Sequence, residues 1–165
     1  MLILRATKKL RDKIGGVAPT DEKESTTMLG DWYGNLIAWR RPLVLLVNAR
    51  TLLPVFAPLA PAKTLTDRVP DVVASALRDH GVPEQVIDHE HARMRDIRVA
   101  PTADRQVVGV MNEFIFLAGH RRERTDDLRE LSMMSAHTPC GPLRTSHTYP
   151  DRELRAFLSS LTSGN

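Results

Sequence analysis

Between Arg105 and Gly119 the chain reads RQVVGVMNEFIFLAG, and its apolar positions Val107, Val110, Met111, Phe114 and Ala118 recur at steps of three and four. That spacing lines one face of an α-helix. Val108, Ile115 and Leu117 widen the face around most of the girth, which predicts a helix packed on more than one side. Arg105, Gly109, Asn112 and Phe116 are left as a narrow stripe. Two readings of the stripe stand side by side. It is a binding site, or it is a helix crossing at which Gly109 admits a close neighbour. The expectation for Asn112 is structural, buried and bonded to backbone, because a buried polar group needs a partner.

Upstream, Leu36–Trp39, Leu43–Val47 and Leu52–Phe56 are three apolar runs with breaks at Arg40-Arg41-Pro42 and Asn48-Ala49-Arg50. Breaks this short join antiparallel neighbours, so a three-stranded meander is predicted. LVLLV is apolar throughout, as in a strand covered on both faces. Leu2–Leu4 and Ile97–Ala100 read as further short strands. A basic helix over Thr7–Ile14 is stopped by Gly15-Gly16, and Ala18–Thr27 reads as a surface loop. Pro54, Pro58 and Pro61 are read as ending the sheet region. Pro70 opens a helix that Gly81 stops, and Pro83 starts another that runs out in the charged His89–Arg95 segment. Thr102 is the expected N-cap of the central helix, and Thr125-Asp126-Asp127 caps the next one, through Leu128, Leu131 and Met134. His137–Thr148 is irregular, and a last helix from Pro150 has Leu154, Phe157, Leu158 and Leu161 on one face. The fold class that follows is α+β in a single domain over residues 1–165. A small antiparallel sheet, the meander plus one or two further strands, packs against about five helices.

Composition narrows the function classes. The chain is 42% hydrophobic and 26% charged, as in ordinary globular proteins, and its net charge of +3 is too small to imply nucleic-acid binding. One cysteine, Cys140, excludes an internal disulfide. The start MLILRATKKL is not a secretory signal, and no apolar run is long enough for a membrane helix. A cytoplasmic protein that does not engage a membrane is expected.

Candidate chemistry is sparse. Asp88, His89, Glu90 and His91 are the densest set of metal-ligand types, but residues two apart on a helix face apart, so no metal site is expected. Cys140 lies in a loop with no nucleophile signature around it. Phosphate-binding glycine patterns are absent, so no cofactor and no catalytic residue are assigned. Basic residues remain: Lys8, Lys9, Arg11 and Lys13, then Arg40, Arg41 and Arg50, then Arg121, Arg122 and Arg124. Phosphate contact requires them to cluster in space. Trp32, Tyr33 and Trp39 would stack bases beside such a cluster, though aromatics next to strands usually pack a core.

The pieces LILRATKKL, Trp32-Tyr33-Gly34-Asn35-Leu36, LVLLVNARTLLPVF, ADRQVVGVMNEFIF and His137–Leu143 together resemble a bacterial domain family of unknown function, DUF 6933. Ala6 stands where the resemblance leads one to expect cysteine, and Val110 where serine is more usual, which removes two polar atoms. The resemblance implies a fold and no activity. The expected function is a non-enzymatic module that binds a protein partner, with Arg105, Asn112, Trp32, Lys8 and Lys9 as candidate binding residues. The alternative is a nucleic-acid-binding or processing component of a toxin–antitoxin or phage-defence pair. A third reading is an enzyme using Arg105, Asn112 and a histidine from elsewhere.

Overall fold

The computed structural model describes residues 1–15, 20, 21 and 23–164. Five strands, β1 (Leu2–Ala6), β2 (Trp32–Ile37), β3 (Leu43–Asn48), β4 (Pro54–Pro58) and β5 (Ile97–Pro101), form one sheet in the order β4-β3-β2-β1-β5. Six α-helices accompany it among the described residues: α1 (Lys8–Ile14), α2 (Leu65–Asp79), α3 (Glu84–Arg93), α4 (Arg105–Arg121), α5 (Leu128–Ala136) and α6 (Pro150–Thr162). The architecture is α+β as expected, and β2, β3 and β4 are the predicted meander. The sheet as a whole is mixed rather than antiparallel, because β1 runs parallel to both β2 and β5. Residues 7–31, between β1 and β2, supply the dozen or so residues that a parallel crossover needs.

Alternation along the strands divides the core in two. Leu2, Leu4, Ala6, Trp32, Val44, Leu46, Val55, Ala57 and Val99 point to one face, where α1, α2, α3 and α6 cover them. Tyr33, Ile37, Leu43, Leu45, Val47 and Phe56 point to the other, where α4 covers them together with Cys140 and Leu143. Every residue of β3 is buried, as its unbroken apolar run predicts. Gly34 serves the first face: a Cβ there would lie 2.8 Å from Leu10 Cδ2, so the missing side chain lets α1 settle onto β2.

Several boundaries differ from expectation for physical reasons. β2 starts at Trp32, because the weak strand former Gly34 is held by pairing with both β1 and β3 and Asn35 by pairing with β3. Pro54 is the first residue of β4 and Pro58 its last, so the meander ends at Pro58 as expected, whereas Pro54 opens a strand rather than ending the sheet region. They are tolerated because β4 is an edge strand, where a position facing outward needs no N–H. Between them, Phe56 donates its backbone N–H outward to Ser132 Oγ of α5 at 2.9 Å. The edge is thereby closed to further strands. α2 begins at Leu65, so Pro70 stands within it and deprives the Thr66 carbonyl of its helical donor. Gly15 and Gly81 end their helices at positive φ, 53° and 74°. Gly16, with Ala18, Pro19 and Glu22 of the expected loop, lies outside the described residues.

Three polar clamps hold the connection into β2. Glu90 is buried on α3 and accepts the backbone N–H of Met28 (2.8 Å) on one oxygen and that of Leu29 (3.0 Å) on the other. Burial pushes its carboxyl above the usual range, and the two amides pull it back. Asn48 donates to the Leu29 carbonyl at 2.9 Å and accepts from Thr51 N and Thr51 Oγ1, which shapes the turn into β4. Arg5 Nε donates to Asp31 at 2.5 Å, and Asp31 also accepts from Ser25 N and Oγ.

Glu90→Gln therefore destabilises the protein although it removes a buried charge. The amide has one oxygen for two N–H donors, and its NH2 faces the second. Urea denaturation is expected to lose about 1–3 kcal/mol, and an unchanged midpoint would contradict the clamp.

Candidate interaction surface

Asp104 caps α4, accepting the Gln106 N–H at 2.8 Å, while its own N–H donates to Tyr33 Oη at 3.0 Å. The N-cap is thus two residues later than Thr102, because Asp104 Oδ1 reaches the second helical amide. Val107, Val110, Met111, Phe114 and Ala118 are buried against β2 and β3, as the periodicity predicts. The helix runs two residues past Gly119, to Arg121, whose guanidinium donates to Ser135 Oγ (3.2 Å) and Thr138 Oγ1 (2.8 Å).

The opposite face of α4 is open. Arg105, Gly109, Asn112, Glu113 and Phe116 are all exposed, so the expected burial of Asn112 is corrected. The error came from Val108, Ile115 and Leu117, which are half-buried flanks rather than a second packed face. Phe116 is 67% exposed and meets the ring of His120 edge to face, with ring centroids 4.9 Å apart. Among the described residues, neither a hydrogen bond nor an ion pair engages the Arg105, Asn112 or Glu113 side chains. A Cβ on Gly109 would meet nothing within 4 Å. The stripe read from the sequence is therefore contiguous and unpartnered, with a bare aromatic at one end and a free cation at the other.

The other candidate binding residues do not join it. Lys8 and Lys9 are exposed on α1, across the sheet, and Lys8 pairs with Asp12 at 2.7 Å. Trp32 is fully buried in the α1-side core and cannot stack a base. Its Nε1 finds no acceptor among the described residues. The basic residues divide as well. Arg122 lies 4.5 Å over the ring of Trp39, which brings it beside Arg40 and Arg41 in the β2–β3 turn. Arg50, in the turn at the other end of β3, lies over Phe157 at 4.7 Å.

Pairs that no sequence spacing announced occur elsewhere. His91 Nε2 and Asp71 Oδ1 are 2.7 Å apart in an open cleft of about 430 Å³ between α2 and α3, with Asp67, Arg95 and Asp96 on its walls. His137 stacks on Tyr149 and bonds Asp151 at 3.1 Å. Ser146 Oγ and His147 Nδ1 both bond the same oxygen of Glu153, each at 2.9 Å, so the serine is not set against the imidazole as a nucleophile requires. Burial holds His80 below the usual histidine range, against the opposing pull of Asp151 and Asp79. Burial, with Glu113 nearby, pushes the Cys140 thiol up to about 12, which leaves it a neutral, unreactive thiol near pH 7. No three histidine, cysteine or acidic side chains converge to hold a metal among the described residues. Nor is any described helix long and apolar enough to cross a membrane.

The molecule is an α+β domain with a mixed five-stranded sheet between two helical layers, and one outer helix face is left bare. The chain belongs to a family described as Domain of unknown function (DUF6933), whose pattern matches residues 3–153. No curated protein and no solved structure matches it.

Substitutions on the two faces of α4 should part sharply. Met111→Asp places a charge at a fully buried position and is expected to cost about 4 kcal/mol or more. Asn112→Ala and Arg105→Ala should each stay within about 0.5 kcal/mol of the parent, as exposed positions do. Chemical denaturation of the three variants checks this; a large loss at Asn112 would restore the buried-crossing reading.

Proposed function

We propose that this chain is a non-enzymatic cytoplasmic module that engages a protein partner through the outer face of α4. The observation that carries the proposal is Phe116, 67% exposed on a helix whose other side is fully packed. An aromatic held on a rigid helix brings large contact area at small entropic cost, and such residues dominate interface energetics. Along the same face, Asn112 and Glu113 one turn away and Arg105 at the far end have hydrogen-bonding groups to spare, as a polar rim does. Catalytic readings draw no comparable support, since the buried carboxylate of Glu90 is spent on Met28 and Leu29 and Cys140 is held as a thiol.

A second reading, contact with nucleic-acid phosphates, is favoured by the Arg122–Trp39 stack beside Arg40 and Arg41. A guanidinium over an indole, with two exposed arginines next in the chain, suits a strand of phosphates and a stacked base. In this reading Lys8 and Lys9 lie on the wrong side of the sheet to extend the patch.

One experiment separates the two. A photo-cross-linking amino acid is placed at residue 112, at residue 41, and at exposed Ser75 as control, in cells that express the full chain. The protein-partner proposal expects a protease-sensitive adduct at 112, abolished by Phe116→Ser and absent at 75. A nuclease-sensitive adduct at 41 with none at 112 would replace it by the second reading. Equal adducts at 112 and 75 would remove the special standing of α4.

A further inference from the structure

We infer that the partner of this face is a second copy of the chain, with α4 packed antiparallel on α4 across a twofold axis beside Gly109. The inference rests on the interaction role proposed for this face and names its occupant. A twofold contact is isologous: whatever residue i meets in its partner, that partner residue meets i in return. A surface suited to it must therefore be complementary to its own inverted image.

The outer face of α4 has that property. Arg105 stands four residues before Gly109 and Glu113 four residues after it, so inversion about Gly109 sets each Arg105 against Glu113 of the partner subunit. The same operation sets Gln106 against Asn112, two amides that donate and accept in both directions. At about 100° per residue, positions 105, 106, 109, 112, 113 and 116 fall on one half of the helix, opposite the buried set. All six are exposed. Gly109 lies at the crossing point, where the lack of a side chain lets two helix backbones approach closely, and the space above it is empty. Phe116, one turn beyond Glu113, then covers the Thr102-Ala103 approach to the partner helix and loses its exposed ring to the contact.

Free valences agree with this partner. Among the described residues Arg105 meets no carboxylate and Glu113 no cation, although both are exposed on the same helix. Charges of opposite sign in inverted order attract a second copy and set its register, where a single-sign patch would repel one. The neighbouring Trp39 patch, with Arg40, Arg41 and Arg122, is of that repelling kind. One helix pair lies at the low end of interface sizes, so the dimer is reversible and depends on concentration.

Charge reversal tests the register. Sedimentation equilibrium of the purified full chain is run on wild type, Arg105→Glu, Glu113→Arg and the double reversal, at low and high salt. Wild type is expected to associate reversibly to twice the chain mass, more weakly at high salt. Each single reversal should weaken association by at least about tenfold, because it places like charges together at both ends of the contact. The double reversal should return to within about threefold of wild type, since it restores opposite charges in the same register. All four should melt alike, because both side chains are exposed and unpaired in the single chain. Three results would overturn the inference: a wild type monomeric at every concentration, a dimer indifferent to the single reversals, or a double reversal as weak as its parents. A monomeric wild type that still gives the Phe116-dependent adduct at residue 112 would remove the second copy and keep the interaction role; loss of both would end both.

Discussion

A sheet buried on both faces constrains everything else in this molecule. β1 and β3 carry apolar side chains up and down, so neither face can meet water, and helices must be supplied to both. The crossover through α1 supplies one side early, with α2, α3 and α6 following, and Gly34 allows Leu10 close enough to seal it. The other side depends chiefly on α4. Because α4 is the outermost layer there, one side of it must remain open. What the sequence places on that side is decided by something other than folding.

Apart from Trp32 Nε1 and Arg68 Nε, the buried side-chain nitrogens and oxygens of the described residues have hydrogen-bond partners. Glu90 and Asn48 each accept from backbone amides that would otherwise be stranded in the connection to β2 and in the β3–β4 turn. Ser132 does the same for the only N–H on the outward side of Pro54, Phe56 and Pro58. These residue types are ones that catalysis also uses, yet here their lone pairs are committed. Arg105, Asn112 and Glu113 on α4 differ, since their side chains are uncommitted among the described residues. Effects of burial on acidity point the same way, since Cys140 and Glu90 are both pushed toward their neutral forms.

Much of this was legible in the chain. Val107, Val110, Met111, Phe114 and Ala118 give the buried face of α4 by spacing alone, and the short breaks after Trp39 and Val47 give the meander. Family membership was legible too, from motifs spread across most of the length. The parallel partners of β1 were not, because a five-residue strand carries no mark of which distant strand it meets. Pro54 misled for a related reason: proline is excluded from central strands, and edge position is a property of the whole sheet. Asn112 misled because a wide apolar girth fits a helix sandwiched on both sides and also an outer helix with half-covered flanks. His91 and Asp71 are twenty residues apart in sequence and meet only because α2 and α3 pack together.

Self-association through the bare face of α4 is the most exposed consequence of leaving Arg105, Asn112, Glu113 and Phe116 uncovered. Amide chemical shifts followed by NMR over a dilution series read that directly. Movement with concentration is expected at Arg105, Gln106, Gly109, Asn112, Glu113 and Phe116, with the buried face and the β2–β3 turn still. Shifts that instead cluster along β5, around Trp39, or nowhere at all would contradict it.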